Sequence, residues 1–142
     1  MNNIEKNNFI GIYSINDDEL MESIVNFFDQ NTNLHKNGTT GDSVVNKDRK
    51  DNKEIKITPK DLEDDNYKIF LKYINYLKNC YSKYKETYPF IEVLGNLNMG
   101  AFQIQKYEIN GHCNAWHTER DQIKTSERVF AWMTYLNDVP KD

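Results

Sequence analysis

The chain has 142 residues with 38% hydrophobic and 28% charged side chains, enough for a single domain with a usable core. A net charge of -4 and a pI near 5.4 argue against nucleic acid or an anionic membrane as principal partner. The first residues, Met1 to Lys6, lack the basic start and apolar run of a secretory signal, and no stretch approaches the ~20 apolar residues of a membrane span, so a cytoplasmic location is expected. Cys80 and Cys113 have no paired spacing and are expected to be free thiols.

In chain order, Phe9 to Ile15 is a short β-rich run. Asn16, Asp17, Asp18 and Glu19 supply an N-cap and an acidic first turn for a helix whose apolar face is Leu20, Ile24, Phe27 and Phe28. From Asp29 to Lys53 no period survives and Gly38 and Gly41 appear, which predicts a long surface loop. Glu54 to Thr58 alternates like a strand and is broken at Pro59. Tyr67, Phe70, Tyr73, Ile74, Leu77, Tyr81 and Tyr84 then recur at helical spacing, predicting a long amphipathic helix from about Asp64 to Tyr88, ended by Pro89.

Beyond Gly95 the period becomes twofold. Three strands are expected: Ala101 to Ile109, Ala115 to Glu119 and Arg128 to Asn137. On the first, Phe102 and Ile104 share an apolar face while Gln103, Gln105 and Tyr107 share the other. On the third, both faces are apolar, with Val129, Ala131, Met133 and Tyr135 on one side and Phe130, Trp132 and Leu136 on the other, so burial on both faces is expected. The fold class is α+β, with helices supporting one face of a small sandwich. Its cavity wall would carry Gln103, Gln105, Tyr107, His117, Glu119, Met133 and Tyr135. A half-buried sheet face, with its His and Tyr satisfied by neighbours, accounts for the same pattern.

His117 and Glu119, two apart on an extended segment, place an imidazole and a carboxylate on one face. They match two members of a 2-His-1-carboxylate iron site. The remaining imidazoles are His35, in a polar loop, and His112, beside Gly111 in a turn. A zinc module using His112, Cys113 and His117 is an alternative, although its spacing is not that of a closed four-ligand site.

From Phe102 to Val139 the chain resembles the iron(II)- and 2-oxoglutarate-dependent dioxygenases of the prolyl 4-hydroxylase type. The resemblance rests on a strand ending in Tyr107 before the Gly111 turn, then Trp116, His117 and Glu119, then an Arg128-led strand ending Met133, Thr134, Tyr135, Leu136, Asn137 and Asp138. The N-terminal half, including Val44 to Asp48, is similar to members found in viruses and bacteria. The resemblance implies a double-stranded β-helix, or jelly roll, with a long supporting helix. It implies His117 and Glu119 as iron ligands, Tyr107, Tyr135, Met133 and Gln105 around 2-oxoglutarate, ascorbate as reductant, and a hydroxylated substrate such as a peptidyl proline. Glu119 stands where Asp is commoner.

The resemblance also implies that the part bearing the distal His and the Lys or Arg that anchors 2-oxoglutarate is missing after Asp142. A 142-residue product would then be poorly soluble, or oligomeric through an exposed strand edge. The other reading of the same fold is a non-catalytic remnant or interaction domain.

Overall fold

The computed structural model describes residues 9–40, 44–114, 116–120 and 122–138. Gly41, Ala115 and Val139, on which some expectations fell, lie outside them. The chain forms two compact units, one combining the stretch up to Ile24 with Thr58–Ala101 and the other combining Val25–Ile57 with the stretch from Phe102.

Asp17 starts the first helix, α1 (Asp18–Gln30), as its sequence predicts: its Oδ1 accepts the Leu20 amide at 3.1 Å, satisfying one of the amides that a helix start leaves without a partner. Within the first unit, Leu20 and Ile24 are buried. The second helix, α2 (Lys68–Thr87), runs for 20 residues after a 3-10 turn at Asp65–Tyr67, and a further 3-10 stretch, Pro89–Leu94, follows it. Phe70, Tyr73, Ile74, Tyr88 and Ile91 are buried in this unit, so the aromatic stripe of α2 is core at its N-terminal end. The run at Phe9 to Ile15 forms no strand. It is held instead by the Tyr84 hydroxyl, which donates to the Phe9 carbonyl at 2.6 Å, and by Phe9 against the Tyr88 and Phe90 rings.

The second unit is built on an antiparallel sheet. β1 (Lys36–Asn37), β3 (Lys53–Ile57) and β4 (Phe102–Lys106) pair in the order β1-β3-β4, and β2 (Lys50–Asp51) pairs separately with β5 (His112–Cys113). The stretch read as an unbroken loop over Asp29 to Lys53 therefore holds the end of α1, a 3-10 turn at Thr32–Leu34 and two short strands. Ile55 lies opposite Ile104 and Ile57 opposite Phe102, which makes one apolar sheet face; Ile55, Ile57 and Ile104 are buried. Glu54 opposite Gln105 and Lys56 opposite Gln103 make the other, polar face.

The mixed helix-and-sheet class follows from these elements. Two of the three late strands are not formed. Residues 116–119 and 128–137 contain no strand, and Val129, Trp132, Met133 and Tyr135 are exposed, at 47, 42, 76 and 81%. Alternation alone does not make a strand: the backbone needs at least one hydrogen-bonded neighbour, and burial on two sides needs a layer packed against each face. Among the described residues no helix is long and apolar enough to cross a membrane.

Candidate functional site

The polar face of the sheet carries a continuous hydrogen-bonded line. Lys50 Nζ donates to Glu54 Oε2 at 3.0 Å, and both side chains are close to fully buried. Gln103 Nε2 donates to Glu54 Oε1 at 3.1 Å, Gln105 Nε2 to Gln103 Oε1 at 2.9 Å, and the Tyr107 hydroxyl to Gln105 Oε1 at 2.9 Å. Asn52 Nδ2 also reaches Gln105 Oε1, at 3.3 Å. Gln103 and Gln105 of β4 and Tyr107 just after it, which parity placed on one face, are thus joined there. Desolvation, with smaller contributions from Cys113 and Glu54, raises the Tyr107 phenol above its ordinary range.

Glu54 and Asn52, both buried, have no place in the sequence reading of the site. Glu54 reads only as the first residue of a strand, and Asn52 lies in the predicted loop. Their role depends on the register that sets Glu54 opposite Gln105. Gly38 serves the same corner, because a Cβ there would collide with Asn52 Oδ1. An open groove of about 520 Å³ runs beside this face, lined by Lys36, Asn37, Val45, Glu54, Lys56 and Gln103 among others. Of the expected cavity wall, only Gln103 lines it.

His117 and Glu119 do converge, with Nε2 and Oε1 3.6 Å apart and both side chains at least half exposed. Glu119 Oε2 is held by Arg128 Nη1 at 2.9 Å. Two metal bonds of about 2.1 Å at a right angle put their donor atoms about 3 Å apart, so this pair could serve two adjacent positions after closing by about half an ångström. The residues present therefore fit a metal in part. Among the described residues no three His, Cys, Asp or Glu side chains gather as a metal group.

The other imidazoles are engaged elsewhere. His35 stacks on the Phe28 ring and its Nε2 lies 2.8 Å from the Phe28 carbonyl. His112 sets Nδ1 at 3.1 Å from the Asn110 carbonyl and Nε2 at 3.2 Å from that of Asp48, so neither nitrogen is turned to a shared zinc position with Cys113. Those carbonyls, Asn110 first, raise the His112 imidazole above its ordinary value. Met133 and Tyr135 are exposed, at 76 and 81%, and neither joins the hydrogen-bonded line of Tyr107 and Gln105 described above. No protein family, no curated protein and no solved structure matches the chain.

Proposed function

We propose that this chain carries part of a prolyl 4-hydroxylase-like dioxygenase centre, in which His117 and Glu119 are two iron(II) ligands. The convergence of His117 Nε2 and Glu119 Oε1 at 3.6 Å supports the reading. When bound, iron(II) and 2-oxoglutarate would supply hydroxylation of a substrate C–H bond by dioxygen, one oxygen atom going to the substrate and the other to succinate as carbon dioxide leaves the co-substrate. Arg128 holds the Glu119 oxygen that does not face His117 and would orient the carboxylate. Tyr107, Gln105, Tyr135 and Met133 would surround the co-substrate, and ascorbate would maintain the reduced metal. The completed architecture would be a jelly roll to which Phe102–Lys106 contributes one strand. Among the described residues the pair would supply two of the three protein ligands.

The reading is tested by anaerobic titration with cobalt(II), a spectroscopic substitute for iron(II), followed through its visible bands. Binding at one equivalent that is lost in both Glu119→Ala and His117→Ala, and kept in Cys113→Ala, supports the pair as ligands. Loss in Cys113→Ala with retention in Glu119→Ala identifies a zinc-type site instead. Absence of any binding favours the second reading, a non-catalytic remnant or interaction domain.

A further inference from the structure

The polar line on the sheet has a direction. An ionised carboxylate only accepts hydrogen bonds, whereas each glutamine amide must present its NH2 to one neighbour and its oxygen to the other. With Glu54 at one end and salt-bridged to Lys50, the Gln103 NH2 must face Glu54. Its oxygen then faces the Gln105 NH2, and the Gln105 oxygen faces Tyr107. Turning either amide over would bring two oxygens or two NH2 groups together. Gln103 and Gln105 are exposed, but one end of the line is pinned by the buried Glu54 carboxylate.

We propose that Glu54 is a positioning residue that sets the polarity of the Gln103–Gln105–Tyr107 line, so that Tyr107 spends its proton on Gln105 and offers only lone pairs to a ligand. The group that Tyr107 recognises is then a hydrogen-bond donor, such as an amide N–H, an ammonium or a bound water. A carboxylate, including that of 2-oxoglutarate, meets it only through an intervening donor. The proposal concerns hydrogen bonds internal to this chain and stands whether or not an iron centre is formed.

Asn52 makes the line reversible. Its Nδ2 joins Tyr107 on Gln105 Oε1, while its Oδ1 is buried with no hydrogen-bond partner. In Glu54→Gln, the new amide turns its oxygen to Lys50 and its NH2 to Gln103, and each glutamine in turn flips. The Gln105 NH2 then donates to Tyr107, and the Asn52 amide turns over so that Oδ1 accepts from Gln105. Tyr107 becomes an acceptor within the line and a donor to ligands.

The test is ultraviolet Raman spectroscopy of the tyrosine ring doublet, whose intensity ratio differs between a donating and an accepting phenol. Because the chain has nine tyrosines, each spectrum is taken as a difference against the same background carrying Tyr107→Phe. The expected result is a donor ratio for Tyr107 in the wild type and an acceptor ratio in Glu54→Gln, with circular dichroism unchanged. An unchanged ratio in folded Glu54→Gln overturns the proposal. Since that variant leaves buried Lys50 without its counter-charge and could fail to fold, Gln103→Leu provides a second route at an exposed position. Cutting the line there should replace the donor ratio with a mixed one, and an unchanged ratio there also overturns the proposal. A merely structural role for Glu54 would alter melting without moving the ratio.

Discussion

Asp17 Oδ2 accepts the Tyr76 hydroxyl at 2.8 Å, while the other oxygen of the same carboxylate caps α1. Lys72 completes the cluster at 2.8 Å from Oδ2. These bonds, that from Lys72 first, hold the Asp17 carboxyl below its ordinary value of 3.8 and raise the Lys72 ammonium and the Tyr76 phenol. The stabilisation from Asp17 is fully present above the unfolded carboxyl value and is lost as the pH falls through the lowered native one. Asp17→Ala should lower Tm by about 5 °C at pH 7 and much less at strongly acid pH, as followed by circular dichroism. An equal loss at both pH values would mean that the charged form has no special role.

His112 has the opposite pH dependence. A neutral imidazole can donate from only one nitrogen, whereas both of its nitrogens lie beside carbonyl oxygens. Asp51, opposite His112 across the β2–β5 pair, and Asp48 add a smaller attraction for the proton, and Lys47 is paired with Asp51. The stabilisation should therefore be complete below the ordinary histidine value of 6.5 and fade as the pH rises through the raised native value. A proton titration of the His112 ring by NMR should show an upward shift, which Asp51→Asn reduces.

The sheet core should be sensitive to truncation. Ile57 is 0% exposed, and Ile57→Ala should cost about 2–5 kcal/mol in urea unfolding. Lys56→Ala, on the neighbouring exposed position, should stay within about 0.5 kcal/mol. Equal effects would contradict the assignment of the apolar face.

Arg128 Nη1 holds Glu119 Oε2, while Oε1 faces His117. Under the oxygenase reading, Arg128→Ala frees Oε2 and should change cobalt(II) affinity by about 3- to 10-fold. A rise would identify Arg128 chiefly as a competitor, and a fall as the group that aims the carboxylate at the metal. No change would separate Arg128 from the metal site.

Gly38→Ala should destabilise the second unit by displacing Asn52, whose Oδ1 occupies the space of the added Cβ. Asn52→Ala in the same chain should recover much of the loss, because the two positions share one volume. Strictly additive losses, measured by urea unfolding, would disprove the steric coupling.

Local chemistry made several elements legible from sequence. The Asp17 cap, the apolar stripe of α2 and the parity that places Gln103, Gln105 and Tyr107 on one face depend on neighbours within a few residues. His117 and Glu119 lie 3.6 Å apart, but not on the strand that the alternation predicts, because residues 116–119 form none.

Only the tertiary structure decided what those faces meet. Register put Glu54, some 50 residues away in sequence, against Gln103 and turned a row of amides into a line with a direction. Residues 128–137 alternate as a strand would and yet form none, because a strand is made by its neighbours' backbone and not by its own pattern. The sequence by itself determined which side chains share a face; pairing across the sheet decided which of them are buried, because burial requires a partner surface that local spacing does not specify.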